Sequence, residues 1–109
     1  MRFMEIKDIG EVIAERVLKR SVSDREPQDV VVRLGKPQQY PDGTAYFSPF
    51  ETTGLGEPKI RYGAGLDAFQ SLQLALRTIS ALLQHYKREP AMDLWWIEQG
   101  DDLGFPGET

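Results

Sequence analysis

The chain has 109 residues, of which 40% are hydrophobic and 28% charged, enough apolar material for one folded domain and too little chain for two. It contains no cysteine, which excludes disulfides, thiolate catalysis and cysteine-ligated metal centres. No apolar run approaches the roughly 18 residues of a membrane span, and the N-terminus lacks a secretory pattern. We therefore expect a cytoplasmic protein with no membrane partner.

The net charge of −4 is unevenly distributed along the chain. Residues 1–88 carry thirteen basic and eleven acidic side chains, whereas residues 89–109 carry six acidic side chains and no basic one. Nucleic acids are bound by clustered positive charge, and only Lys19-Arg20 and Lys87-Arg88 are paired here. We expect no nucleic-acid partner.

Residues 9–22 fit both a helix and a strand. The local periodicity slightly favours a helix. However, the polar link at 23–29 is short enough to fold a strand back on residues 30–34. We therefore predict an antiparallel strand at 9–22.

Two further segments predict a hairpin. Residues 30–36 are rich in β-branched side chains and residues 44–53 in aromatic side chains and threonine, both typical of strands. The turn at Tyr40-Pro41-Asp42-Gly43 joins them. Pro49 removes a donor, which predicts that the second strand is an edge or bends there. Two shorter strands are predicted at 59–62 and 92–97.

The strongest element is a helix at 67–88. Asp67 can cap its first turn, Gln70 three residues later completes a capping box, and Pro90 ends it. Apolar residues at alternating spacings of three and four form a stripe that we expect to pack on the sheet. The stripe consists of Phe69, Leu72, Leu76, Ile79, Leu83 and Tyr86.

Together these elements predict an α+β fold. We expect an antiparallel sheet of four to five strands, in the order β-β-β-β-α-β, with one long helix packed on one face. Residues 1–109 form a single domain in this prediction, with a loose N-terminus at 1–8 and a loose C-terminus at 107–109.

The segment from Gly63 to Ala68 reads G-x-G-x-x-A between a strand and a helix, the outline of a dinucleotide-binding turn. The alternative is a glycine turn that leads into a capped helix. The polar alternation of residues 59–62, the carboxylate of Asp67 and the eleven residues left after Glu98 favour the alternative. We expect no cofactor.

Other catalytic chemistries have little support. His85 is the only histidine, and no G-x-S-x-G elbow is present. Four C-terminal acids could hold a hard cation, but the calcium-loop pattern is missing and a solvated acidic tail is favoured. We predict no catalytic residue and no metal site. The four acids are Asp93, Glu98, Asp101 and Asp102.

The C-terminal segment offers a candidate partner-binding surface. Trp95 and Trp96 are adjacent on a predicted strand, so one should enter the core and the other should lie on the far face. An exposed tryptophan beside Asp101 and Asp102 would suit a protein partner. Alternatively the tail covers it. The apolar residues of the tail predict that the chain is docked on the sheet up to about Pro106.

Four stretches of the chain also form a family pattern: Val32 to Pro37, Gly54 to Gly56, Gly65 to Leu76, and Gly100 to Pro106. In this order they resemble the DUF6968 family, small bacterial proteins of about this length with a domain of unknown function. The resemblance covers about residues 11–106. It implies a strand at 11–22 and a bacterial, cytoplasmic setting, and it implies no activity, ligand or catalytic residue.

From these observations we expect a non-catalytic protein-binding or interaction domain, homodimeric or antitoxin-like, whose partner is another protein or a second copy. The alternative is a small-molecule-binding protein or minor enzyme, with a pocket between the helix N-terminus and the sheet. Tyr46, Arg61 and Asp67 would ring that pocket. A third hypothesis is a structural subunit with no site of its own.

Overall fold

The computed structural model describes most of the chain. Residues 1–5 and 107–109, which belong to the two ends predicted to be loose, lie outside the described residues, as does Asp101. The described residues are 6–22, 25–89, 92–98, 100 and 102–106.

The described part of the chain forms six strands and one helix. The predicted α+β fold with an antiparallel sheet and one long helix is confirmed, with one short strand more than predicted. The bounds are β1 Val12–Arg20, β2 Gln28–Gly35, β3 Gln38–Gln39, β4 Tyr46–Thr53, β5 Lys59–Gly65, α1 Ala68–Lys87 and β6 Leu94–Trp95.

All strand pairs in the sheet are antiparallel. The strands lie in the spatial order β6, β1, β2, β4 and β5, and the short β3 pairs with β4 beyond the end of β2. The strand predicted at 9–22 is therefore confirmed as β1, the neighbour of β2. This segment forms a strand although its own periodicity slightly favours a helix. Its pairing with β2 along nearly its whole length outweighs that local preference.

The hairpin predicted around Tyr40 to Gly43 is present, closed by a bond of 2.8 Å from the Gly43 N–H to the Tyr40 carbonyl. The predicted edge position of β4 is wrong, because β4 pairs with β2 and β3 on one side and β5 on the other. Pro49 lies between the residues that pair with β2 and those that pair with β3. The neighbouring strand is interrupted there, where a sheet tolerates proline.

The helix begins as predicted. The Asp67 carboxylate accepts a hydrogen bond of 2.8 Å from the Gln70 N–H. In the usual capping box this side chain accepts a hydrogen bond from the N–H of the capping residue itself. Here the Gln70 side-chain oxygen accepts a hydrogen bond of 2.7 Å from the N–H of Leu66, the residue before the cap. The helix ends at Lys87, within a residue of the prediction.

Five residues of the predicted apolar stripe of α1 are confirmed: Ile79 and Leu83 are buried, and Leu72, Leu76 and Tyr86 pack partly buried against the core. The prediction is wrong at Phe69, which is 79% exposed. The cause lies in β5, which continues through the glycines predicted to form a turn. A Cβ on Gly63 would lie 2.3 Å from the Ala75 nitrogen, and one on Gly65 would lie 2.6 Å from the Ser71 nitrogen. The helix backbone therefore touches the strand, and small residues face it. The buried helix residues are Ser71, Ala75, Ile79, Ser80 and Leu83.

The core lies between α1 and one face of the sheet. Of the two tryptophans, Trp96 packs partly buried against this core, which agrees in part with the prediction that one of them enters it. Leu94 is fully buried, whereas Trp95 and Trp96 are both half-buried. The largest fully buried side chains are Phe50, Leu18, Ile79, Leu83, Leu94 and Leu103.

Candidate functional site

The C-terminal tail is attached to β1 by one arginine. The Nη1 of Arg16 donates hydrogen bonds of 3.1 Å to the Leu103 carbonyl and 2.9 Å to the Gly104 carbonyl. Its guanidinium carbon lies 3.8 Å from the centroid of the Trp96 ring and 4.7 Å from that of Phe105. The predicted docking of the tail is thus confirmed for residues 102–106, with Arg16 as a partner that the sequence did not indicate.

The local shape of the tail favours this contact. Leu103 is fully buried in the core, and Gly104 has a φ of +79°. A Cβ on Gly104 would lie 2.4 Å from the Trp96 ring, so only glycine fits without displacement. The Asp102 carboxylate accepts a bond of 2.9 Å from the Gly104 N–H. This segment therefore holds one fixed conformation against β1.

The predicted partner surface is divided by this arrangement. Trp96 contributes one ring to the Arg16 contact, while Trp95 lies opposite Lys19 in the β1–β6 pair. Asp102 is exposed but holds the tail turn. Beside these residues Ile97 is 71% exposed. The binding of a partner at the two tryptophans and the two aspartates stays a prediction.

The predicted pocket residues lie on β4, on β5 and at the start of α1. Tyr46 is opposite Gly65, close to the start of α1. Asp67 uses its carboxylate as the helix cap. Arg61 is opposite Phe50, four residues from Gly65 along β5, a separation of about 13 Å. The structure therefore brings Tyr46 and Asp67 to the same end of the sheet and places Arg61 farther along it.

A cleft lies elsewhere, between the tail, α1 and the first two strands. Its volume is about 250 Å³, just below the range typical of sites for drug-sized ligands. Most of its lining is apolar, and Arg16 and Glu15 supply the charged groups. Other lining residues are Ala14, Val32, Leu34, Leu76, Ile79 and Phe105.

The outer edge of β1 is largely uncovered. The Ser21 N–H donates a bond of 3.0 Å to the Asp93 carbonyl, so Ser21 points toward β6. Backbone groups alternate in direction along a strand, and those of Glu15 and Val17 therefore point the same way. Yet β6 pairs only with the last two residues of β1. Among the described residues, no strand pairs with Glu15 or Val17 on this side.

Apolar side chains accompany this open edge. Val12 is 44% exposed, Ile13 47% and Val17 41%. We call residues 12–18 the β1 edge. Its outward backbone groups are those of Glu15 and Val17, because the register of β1 on β2 shifts at a bulge between Val12 and Ala14. An edge strand of this kind is a template for pairing with another chain.

Charged side chains form a row across the sheet, on the face away from α1. Arg33 of β2 lies 2.8 Å from the Glu15 carboxylate of β1 and 3.7 Å from the Glu51 carboxylate of β4. The three side chains are partly exposed, so each pair contributes little to stability. Glu15 is the member of this row that belongs to the β1 edge. Its negative charge is already compensated by Arg33.

A second exposed apolar feature occurs at the start of α1. Leu66 is 81% exposed and Phe69 is 79% exposed. Leu66 precedes the helix and Phe69 lies in its first turn. The contact of the helix with β5 is made by Ser71 and Ala75. They form a pair of apolar side chains on the surface.

Nothing in the described residues supports metal or nucleotide chemistry. They contain no group of three or more His, Asp or Glu side chains arranged to hold a metal ion. The glycines of the G-x-G-x-x-A segment are covered by α1 and present no open backbone to a pyrophosphate. Likewise, no helix in the part of the chain that the structure describes is long and apolar enough to cross a membrane.

Fold and surface define this protein as a small α+β domain with an antiparallel sheet, one covering helix and a tail clamped to the first strand. The chain belongs to the family of the Domain of unknown function (DUF6968), whose model matches residues 14–107. The resemblance found in the sequence is thereby confirmed. No curated protein and no solved structure matches the chain.

Proposed function

We propose that this chain is a non-catalytic protein-interaction domain that binds a polypeptide segment at the β1 edge. The observation that carries the proposal is the outward direction of the Glu15 and Val17 backbone groups, with no strand paired to them among the described residues. An added strand would bond to these groups, and backbone pairing of this kind gives affinity to many peptide-binding domains.

The side chains at the same place support this function. Val12, Ile13 and Val17 are exposed by two-fifths or more of their surface. A bound strand would cover them and remove apolar surface from water, at about 25 cal/mol per Å². The bacterial cytoplasm is the setting we propose. The absence of cysteine from the chain suits that reducing compartment.

The experiment compares one disruptive and one neutral variant. In Val17→Pro the edge loses an outward N–H, and because this N–H points away from β2 no bond of the β1–β2 ladder is removed. Ile97→Lys is the control, since it removes a more exposed apolar side chain outside the β1 edge. Each protein is immobilised, exposed to an extract of its source cells, and the retained proteins are quantified.

We expect a partner that is retained by the wild type and Ile97→Lys and lost with Val17→Pro. The purified partner should then slow amide hydrogen exchange at residue 17. Retention unaffected by Val17→Pro, or protection located elsewhere, would contradict binding at the β1 edge. Circular dichroism of each variant checks that the fold is intact.

A second candidate function is the binding of a small molecule in the cleft under the tail, favoured by its apolar lining and by the adjacent Arg16 guanidinium. Its volume of about 250 Å³ restricts it to small ligands. Ala14→Phe would fill the cleft from β1. Fragment binding followed by NMR should disappear in this variant, and unchanged binding would exclude the cleft as the site.

A further inference from the structure

We infer that the cleft under the tail binds a small monocarboxylic acid, with the carboxylate on the Arg16 guanidinium and an apolar body between α1 and the first two strands. The inference rests on the second candidate function, small-molecule binding in this cleft, and names the class of ligand. It is independent of the β1 edge, because the cleft lies on the face of the sheet that α1 covers.

The register of β1 on β2 separates the two charged residues that line the cleft. Arg16 lies opposite Val32, which is buried in the core under α1. Glu15 lies opposite Arg33, which holds the Glu15 carboxylate on the other face of the sheet. Among the described residues that line the cleft, only Arg16 therefore presents a charged group on its inner side.

The tail uses one of the three nitrogens of the Arg16 guanidinium. Both hydrogen bonds to the tail carbonyls leave from Nη1. In the part of the chain that the structure describes, no residue accepts a hydrogen bond from Nε or Nη2, and neither is a buried atom without a partner. These two nitrogens form a planar edge whose parallel N–H groups match the two oxygens of a carboxylate. The Trp96 and Phe105 rings already hold the guanidinium in place.

Charge and volume restrict the ligand. One guanidinium balances one carboxylate, whereas a phosphate monoester carries nearly two negative charges at neutral pH. No second cationic side chain lines the cleft among the described residues. An apolar cavity of about 150 Å³ holds one benzene molecule, so a cleft of about 250 Å³ accommodates roughly ten non-hydrogen atoms. Octanoate has this size and charge.

Binding should also stabilise the docked tail. Gly104 and Phe105 form one wall of the cleft, and the arginine that would hold the carboxylate also holds the tail. A ligand that binds only the docked form stabilises it in proportion to the ligand concentration over Kd. At ten times Kd, the Gly104 amide should therefore exchange its hydrogen about tenfold more slowly.

The experiment uses octanoate as the probe and octanol, which has the same chain without the charge, as the matched comparison. Titrations of isotope-labelled protein followed by NMR measure both affinities and report the Arg16 Nε–H signal. We expect octanoate to bind with a Kd of about 1 mM or below, at least about tenfold more tightly than octanol. Octanoate should shift the signals of Leu76, Ile79 and the Arg16 Nε–H.

Three variants locate the carboxylate. Arg16→Met should weaken octanoate binding about tenfold or more and octanol binding less than about twofold. Octanol thus reports any damage to the cleft that follows from loosening the tail. Arg33→Met is the matched control, because it removes the same charge from the other face of the sheet and should leave both affinities unchanged. Ala14→Phe keeps Arg16 but fills the cleft, and should abolish binding of both probes.

Two results with the wild type would overturn the inference: octanoate that binds no more tightly than octanol, or an Arg16 Nε–H signal that does not move at saturation. Equal weakening of both probes by Arg16→Met would also contradict a contact with the carboxylate. If octanol still binds in the cleft, only the class of ligand is wrong and small-molecule binding there remains. If neither probe shifts a residue of the cleft, small-molecule binding in the cleft is wrong as well.

Discussion

Replacing Arg16 by methionine should loosen the C-terminal tail. The change keeps an unbranched side chain but removes the guanidinium, which bonds to the carbonyls of Leu103 and Gly104 and lies over the rings of Trp96 and Phe105. The first bond is part-buried and the second is exposed, so water replaces the second more easily. Charged hydrogen bonds and cation–π contacts in such settings give about 2 kcal/mol in all.

Urea unfolding followed by tryptophan fluorescence measures this loss, and amide hydrogen exchange of residues 102–105 locates it. Arg33→Met is the matched control. It removes an arginine of the same sheet whose ion pairs with Glu15 and Glu51 are partly exposed, and it should cost less than about 1 kcal/mol. If both variants lose equal stability, or if the tail amides of Arg16→Met stay protected, Arg16 does not hold the tail.

Four further outcomes are expected. In thermal melts, Ile79→Ala should cost about 2–5 kcal/mol and Phe69→Ser less than about 0.5 kcal/mol, because only Ile79 is buried; equal costs would show that Phe69 also packs in the core. Gly63→Ala should cost at least about 1–3 kcal/mol, since the added methyl meets helix backbone, and a neutral result in urea would show that α1 can move away. Asp67→Ala should lose about 1 kcal/mol while Asp67→Asn stays close to wild type; equal melting temperatures for the two variants would deny the cap. Burial raises the pKa of Tyr40, so the unfolded chain loses this phenolic proton at lower pH than the folded protein does. The free energy of unfolding should therefore fall as the pH rises above about 10. Urea melts at several pH values measure this decline, and Tyr40→Phe should remove the part of it that Tyr40 causes.

The helix could be predicted closely because its signals are local. A capping aspartate, a long apolar period and a following proline act within a few residues of each end, and the observed bounds Ala68–Lys87 agree with them. The hairpin was equally accessible, since proline and glycine favour the turn at Tyr40 to Gly43 directly. Family membership also followed from the sequence pattern.

The apolar period of the helix predicted most of its buried face but not the exposure of Phe69. Phe69 continues the apolar period and would belong to the core on that criterion alone. The contact with β5 decides otherwise, because Gly63 and Gly65 allow the two backbones to approach and Ser71 and Ala75 fit between them. The sequence does contain an indication of this contact, the glycines at the alternate positions 63 and 65. The same segment is equally typical of a turn.

The candidate site was missed for a related reason. Whether β1 has an open edge depends on how many residues of β6 pair with it. A strand over the whole of the predicted range 92–97 would have covered more of the β1 edge. Only Leu94 and Trp95 pair. Arg16 reads as a charge that interrupts an apolar strand face, whereas its partners Leu103 and Gly104 lie more than eighty residues away. Neither property has a local signature.

The length, composition and cover of β1 support the proposal that its edge is a binding surface. Edge strands are commonly protected by proline, by charged side chains, by a β-bulge, by short length or by a covering segment. β1 has nine residues and no proline, and β6 covers only its last two residues. Its bulge lies at the other end, between Val12 and Ala14, and the Glu15 carboxylate between these ends is paired with Arg33. Meanwhile Arg16 fixes the tail through its side chain, and in the part of the chain that the structure describes no strand pairs with the outward groups of Glu15 and Val17. A strand held in place on its other side and open along its edge needs no rearrangement before pairing, so little ordering entropy opposes the binding of a partner.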